Sequence, residues 1–534
     1  MKILLTLCCL LLATPAWSAT YYVRAGAGGS NNGADWTNAY TSMPSLGAGN
    51  TYYMAEGSYG SVTVSAANVT IKKCPSSAVL ADACQSVSGW NNTYGDGQAS
   101  FGEFNVQAAG FTLDGQTRNE SNWADGTAYG FRISGGGIRT STFDNPGNIC
   151  PANVTIRYLN AGGTEGSTPQ GSDVDTVIYV GGFQQSCTGW TISRSYLHNA
   201  SHYTIIQFAG ANGITVEYTR LQNSWGKEAI RGQIVAANLI IRYNQFYNAC
   251  GDGGAAGEGC TAEIALWDGS NFSGNQIYGN WFYRSNGDLS SGGTIVVGGN
   301  GSSWVGPSAS NTLVYNNTIA GFTGGWYIGM ILVNGGSGNV CRNNLWYQVA
   351  VASATCNTTS NNVNASSNPF VNYAGADLHL TGATTAGYTL SSPYNVDMDG
   401  TTRGAGGVWD VGAYEYPSGG GASPPVGTPT LSVRSLVWWI ILPIGAFAGL
   451  ITMLSSLVGI LARRTFDGRS DRMGGVGDVG GGQGVPPLRP ATAGVVQEVR
   501  RDQQPGGSPL DEPSVVANEP ANVAAAHGSQ TVMR

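Results

Sequence analysis

Between residues 153 and 343 the apolar positions recur in triplets of the form apolar-x-apolar, most led in by Asn or Gly and followed a few positions later by Asn or Ser. The copies read Asn153-Val154-Thr155-Ile156, Trp190-Thr191-Ile192, Ile214-Thr215-Val216, Asn238-Leu239-Ile240-Ile241, Asn275-Gln276-Ile277, Asn311-Thr312-Leu313-Val314 and Asn339-Val340-Cys341. Alternation with period two predicts a short strand with one buried face at each copy. A second set of strand-like segments lies between them, at 175–180, 203–208, 229–235, 262–267, 294–297 and 327–333. Strands this short cannot bury their apolar side chains alone, so neighbouring repeats must stack and share one long core. Ile192, Val216 and Ile241 are 24 and 25 residues apart, and the wider intervals elsewhere leave room for loops. The pattern predicts an all-β solenoid with parallel sheets.

Two apolar segments stand outside this pattern. Residues 3–13 follow Lys2 and precede the small-residue stretch Ala16-Trp17-Ser18, which predicts a signal peptide over residues 1–19. Residues 436–462 form 27 consecutive positions without a charge, long enough to cross a bilayer as one transmembrane helix. Trp438 and Trp439 mark its outer end, and Arg463, Arg464, Arg469 and Arg472 follow its inner end against Arg434 before it. That asymmetry predicts a single-pass protein whose amino-terminal domain lies outside the cytoplasm. Residues 418–435 read as a Gly/Pro/Ser linker, and 463–534 as a disordered cytoplasmic tail.

Composition narrows the function classes. Only 11% of residues are charged, Gly numbers 80 and the net charge is -7, with no basic stripe in the repeats, which argues against a nucleic-acid partner. Eight cysteines remain after removal of the signal. In an oxidising compartment their sequence neighbours would pair: Cys74 with Cys84, Cys150 with Cys187, Cys250 with Cys260, and Cys341 with Cys356.

The segments "NVTIRYLNA", "WTISRSYLHNAS", "ITVEYTRLQNS" and "NLIIRYNQFYNA" resemble the repeats of right-handed parallel β-helix proteins of the pectate-lyase-like group. The opening "YYVRAGAGGSNNGADWTNAYTSM" with "GNTYYMAEGSY" resembles the amino-terminal cap of secreted members, giving a β-helix with its cap over 20–370. In 371–417, "DLHLTGAT" and "DMDGTTRGAGGVWDVGAYEY", just after "SSNPFVN", are similar to the ending of bacterial surface proteins called choice-of-anchor Q. There a β-helix is followed by an anchor. The resemblance implies a polysaccharide or cell-surface glycan as partner, and enzymes of the group act mostly on acidic polysaccharides.

A lyase needs a cation to neutralise the uronate carboxylate and a Lys or Arg base, whereas a hydrolase needs paired carboxylates. If Ile205, Ile230 and Ile264 stack inside consecutive coils, alternation turns Arg231 and Gln233 outward, with Lys227 on the same side, and Glu263 and Trp267 outward on the next coil. Lys227, Arg231 and Glu263 are the catalytic candidates, with Trp267, His202 and Gln233 as substrate-binding candidates. Asp252 and Glu258, between Cys250 and Cys260, are candidate ligands for calcium. In the alternative reading Arg231 and Glu263 are an ordinary surface ion pair on adjacent coils, and the solenoid is a non-enzymatic surface or adhesion rod. Asn395-x-Asp397-x-Asp399-Gly400 has the opening of a calcium loop but Gly406 where the closing Glu belongs, which predicts a turn whose carboxylates face Arg403.

Overall fold

The computed structural model describes residues 18–417 apart from 77–82, 141–148, 164–175, 182–185, 202, 225, 251–260, 286–292, 300–307 and 325–328. Residues 1–17 of the signal segment, the linker, the apolar run 436–462 and the tail therefore lie outside the described residues, and among those described no helix is long and apolar enough to cross a membrane.

One sheet runs the length of the domain. Its twelve strands begin with Thr20–Val23, Thr51–Met54 and Thr70–Lys73, pass through Thr191–Ser193 and Ile240–Arg242, and end at Thr358–Ser360. Every neighbouring pair in it is parallel, so the chain completes a full coil between one strand and the next. Two further parallel ladders complete the coils. One contains Tyr196–Ala200, Arg220–Ser224, Gln245–Cys250 and Trp281–Tyr283; the other contains Ile206–Phe208, Ile230–Ala237, Ile264–Asn271 and Ile295–Val297. This is a parallel β-helix.

The register stacks like on like. Ile156, Ile192, Val216, Ile241, Ile277, Val314 and Cys341 form one inward column, Leu197, Leu221, Phe246, Phe282, Ile319 and Trp346 a second, and Ile206, Ile230, Ile264, Ile295 and Ile331 a third. All are buried in one continuous core, each contributing about 1.5–3 kcal/mol of burial. Ile206, not Ile205, occupies the column. Ile205 ends the preceding corner, where its carbonyl accepts from Ile178 N at 2.9 Å, so the strand begins one residue later than alternation alone suggests.

The polar residues trailing each triplet build the corner between the first and second ladders. Tyr158, Arg194, Tyr218, Tyr243, Asn316, Asn343 and Asn361 all have positive φ, and Gly279 holds the same place in its coil. A single left-handed residue turns the chain, and the strain at non-glycine positions is offset by the residue that follows. In the later coils that residue is Asn244, Asn280, Asn317, Asn344 and Asn362, each bonded to the next through its side chain.

Three of the expected disulfides are present: Cys74–Cys84, Cys150–Cys187 and Cys341–Cys356. Cys250 is itself disulfide-bonded, and Cys260, its expected partner, lies outside the described residues.

After the last coil the chain turns back along the outside. Phe370–Asn372 and Asp377–Leu380 pair antiparallel, and the segment to residue 416 lies over the outer faces of the later coils. It is fixed there by Tyr394 Oη donating to Gln276 Oε1 at 2.9 Å, Ala413 N donating to Thr318 Oγ1 at 2.8 Å, and reciprocal bonds between Asn343 and the Tyr388 backbone. The 395–400 stretch is a turn: Asp397 Oδ1 accepts from Asp399 N and Thr401 N. Arg403 is buried beside it, donating to the carbonyls of Asp410, Gly412 and Ala413.

Candidate functional site

The strand Ile230–Ala237 carries Arg231 and Gln233, two of the residues singled out by alternation. Arg231 sits in an outward column between Gln207 and Ala265. Its guanidinium lies 5.4 Å from the Tyr203 ring centre and 5.7 Å from that of Trp267, while Lys227 Nζ lies 4.5 Å from Tyr203. The fold thus brings Lys227 and Arg231 against one tyrosine, with Trp267 against Arg231. Gln233 Oε1 accepts from Gln207 Nε2 at 2.5 Å.

Glu263 takes a different direction. Its Oε1 accepts from Arg284 Nε at 3.0 Å and lies 2.9 Å from Nη2, with both side chains almost fully buried. Arg231 instead has Glu228 as an acidic neighbour, Nη1 to Oε2 at 3.6 Å, and Glu228 is only 1% exposed. Among the described residues, Glu263 thus pairs with Arg284 and Arg231 with Glu228. Alternation says which side of a strand a residue leaves from, but not which residue of the next coil its long side chain reaches. His202, Asp252 and Glu258 lie outside the described residues.

A second site is formed where the carboxy-terminal segment meets the solenoid. Arg220, Gln245 and Trp281 form an outward column on three successive coils, with Gln222, Tyr247 and Tyr283 two residues further along the same strands. Of these, Arg220, Gln245, Tyr247 and Trp281 floor a groove of about 930 Å³. One wall is the turn around residues 120–124. There Glu120 is held by Arg118, 2.7 Å away, and by Arg194, 3.2 Å away, while Trp123 lies 4.0 Å beneath the Arg118 guanidinium. The other wall is built from Asp377, His379, Met398, Asp399 and Tyr414.

His379 ties that wall together. Its Nδ1 meets Asp377 Oδ1 at 2.5 Å, its Nε2 meets Asp399 Oδ2 at 2.8 Å, and its ring lies 4.0 Å from that of Tyr414. Burial alone would depress the imidazole, but hydrogen bonding and attraction from Asp399, then Asp377, raise its pKa to about 9. It is therefore an imidazolium at neutral pH, able to donate to both carboxylates at once.

The groove thus joins aromatic surfaces to fixed acceptors and a guanidinium, the pairing suited to a ligand with apolar faces and polar edges. Its members are spread from Glu120 to Tyr414 and form no local motif. One local signal is Trp281-Phe282-Tyr283, where alternation turns Trp and Tyr outward beside Gln245 and Tyr247 of the preceding coil.

No family model and no curated protein matches the chain. Among solved structures it is similar to pectate lyase Pel9A, at 14% identity over 75% of this chain and 97% of that one, with a TM-score of 0.43. It is also similar to the Dettilon tailspike protein, at 11% identity over 59% and 62% with a TM-score of 0.30, and to the PL6 family alginate lyase AlyGC, at 13% identity over 72% and 57% with a TM-score of 0.27.

Proposed function

We propose that this protein is a glycan-binding parallel β-helix, anchored in a membrane by residues 436–462 and facing away from the cytoplasm, which holds a polysaccharide in the groove between Trp123, Tyr247 and Trp281 and the carboxy-terminal segment. The observation that carries this reading is the groove itself. Side chains from three consecutive coils supply an aromatic and polar floor, and Asp377 and Asp399 stand above it, both hydrogen-bonded to His379. A sugar ring has apolar C–H faces that rest on aromatic rings and equatorial hydroxyls that donate to ionised carboxylates.

Titration of the full-length protein with a panel of oligosaccharides tests the proposal. At least one should bind, and Tyr247→Ala should weaken it about tenfold, the equivalent of one aromatic contact of about 1.4 kcal/mol. Absence of binding across the panel, or binding untouched by Tyr247→Ala, would remove the groove from the account.

Cleavage is the second reading, favoured by Lys227 and Arg231 both lying against Tyr203, with Trp267 against Arg231. In a β-eliminating enzyme Lys227 would act as the base. Incubation with uronate polysaccharides, with and without calcium, should then give an ultraviolet-absorbing unsaturated product that Lys227→Ala abolishes; no product under either condition leaves binding as the function.

A further inference from the structure

One column on the long sheet repeats a single residue. At the first outward position of its strands stand Thr20, Thr51, Thr70, Thr112, Thr155, Thr191 and Thr215, paired from coil to coil without a register shift. The adjacent outward column of the same strands reads Tyr22, Tyr53, Lys72, Asp114, Arg157, Ser193 and Glu217. A position that needs only a strand-forming surface residue is filled variably, as that second column is, whereas an unbroken run of threonine marks a demand for one group at a fixed repeat. Further along, the first column changes to Ile240, Gln276, Leu313 and Val340. There the carboxy-terminal segment covers the sheet: the three apolar residues pack under it and Gln276 bonds to Tyr394. Beyond the covered coils the column returns to threonine at Thr358. Threonine therefore follows the uncovered surface.

Thr20 is exposed and the other six are half-buried, and among the described residues none of these hydroxyls has a hydrogen-bond partner. Hydrogen-bonded strands lie about 4.8 Å apart, so the rank is a row of identical hydroxyl and methyl groups about 29 Å long. Its border is low. Two positions before the threonines, Gly49, Asn68, Gly110, Asn153, Gly189 and Gly213 turn the corner with positive φ. A Cβ on Gly110 or Gly189 would strike the side-chain oxygen of Asn68 or Asn153, so each of these amides lies flat on the glycine of the next coil. A β-branched side chain on a strand has little rotamer freedom to lose. Each hydroxyl offers one donor and two acceptors, and a row of them on one rigid frame engages together once the first is bound. The ligand that matches is itself a periodic array of hydrogen-bonding oxygens with gaps between them, and the coil spacing lies close to an oxygen repeat of the ice lattice. We propose that the threonine rank is an ice-binding surface, whose hydroxyls hold water at lattice positions while the methyl groups fill the spaces between. The rank stands on the long sheet and the groove floor on another ladder, so this site does not rest on the glycan-binding reading.

The test exposes fluorescently labelled full-length protein in lipid nanodiscs, beside labelled empty nanodiscs, to a growing single crystal of ice and to microcrystalline cellulose. The protein should concentrate on the ice surface while the empty discs are excluded from it. Thr155→Tyr, which raises a ring from the middle of the rank, should lose most of that adsorption, because a rigid lattice cannot bend around the obstacle. Thr358→Tyr, in the same column but beyond the covered coils, should keep it. Exclusion of the wild-type protein from ice would overturn the proposal and leave the groove untouched. Adsorption to cellulose in place of ice would assign the rank to a crystalline polysaccharide and overturn it equally. Equal adsorption of the wild-type protein and a folded Thr155→Tyr would place ice binding elsewhere on the chain. The wild-type comparison needs no variant, so a poorly folded Thr155→Tyr cannot shield the proposal.

Discussion

Asn280 and Asn317 lie one coil apart, and Asn317 Oδ1 accepts both from Asn280 N at 3.1 Å and from Asn280 Nδ2 at 3.0 Å, with neither residue exposed. Asn317 Nδ2 in turn donates to Ile277 O and to Asn344 Oδ1. One amide therefore satisfies the corners of three coils, and a buried polar group left without its partner costs about 1–3 kcal/mol. Asn317→Ala removes all four of these bonds at once, although Asn280 Nδ2 still donates to Ile241 O and Asn344 Oδ1 still accepts from residue 317's backbone N. The expected loss is about 3 kcal/mol or more, read from the denaturant midpoint of the full-length protein. A loss below about 1 kcal/mol would mean that the ladder is ornament on a core that needs no such corner.

The core and the corners could be read from the chain because each coil repeats the same local problem. In Ile241-Arg242-Tyr243-Asn244 an inward apolar residue, an outward one, a left-handed turn and a buried amide follow in order. Ile277 to Asn280, Val314 to Asn317 and Cys341 to Asn344 repeat that order. Period-two alternation and the recurrent Asn carry that information locally. The groove is different in kind. Trp123 and Asp399 are brought together by the return of the carboxy-terminal segment over coils laid down much earlier, and nothing near either residue encodes the other. His379 illustrates the point: it stands in a two-residue alternation that marks a strand, while its second carboxylate is 20 positions away.

The buried pair Glu263–Arg284 gives a prediction about stability. An ion pair with both members out of water adds little over an apolar pair, but removing one partner strands the other charge and costs about 3–5 kcal/mol. Arg284→Ala, which leaves Glu263 at 1% exposure without that guanidinium, should lower the denaturant midpoint by a corresponding amount. Joint replacement by Glu263→Leu and Arg284→Met should recover most of the loss. If the single and double variants are equally unstable, the pair contributes shape and not charge.

His198 predicts acid sensitivity. Its Nε2 lies 2.8 Å from Asn160 Oδ1 on the buried strand Tyr196–Ala200, and burial, assisted by the positive Arg132, pushes its pKa down to about 4. The unfolded imidazole titrates near about 6.5. Between those values the unfolded chain binds a proton that the folded one refuses, so stability falls as pH falls from about 6.5 through 4 and levels off below. The lost stability amounts to about 3 kcal/mol. His198→Gln retains an amide donor for Asn160 and should flatten this part of the profile; parallel slopes for the two proteins would show that the ring is protonated in the fold.

His379 predicts the opposite slope at the other end of the pH range. Its folded pKa, about 9, lies above the value of about 6.5 for the unfolded chain. The imidazolium therefore stabilises the attachment of Asp377 to Asp399 fully below about pH 6.5, and that contribution is lost as pH rises through 9. Loss of the proton leaves two carboxylates facing a ring that can donate to one of them at most, so the wall of the groove should loosen before the coils do. Hydrogen exchange of the backbone between residues 377 and 401, compared at pH 6.5 and 9 after correction for intrinsic rates, should show protection falling in the wild-type protein. In His379→Gln, protection should be lower at pH 6.5 and nearly constant across the interval. Glycan affinity should follow protection, because Asp377 and Asp399 reach the groove only through this wall; unchanged protection in the wild-type protein at both pH values would separate the imidazolium from the groove's architecture.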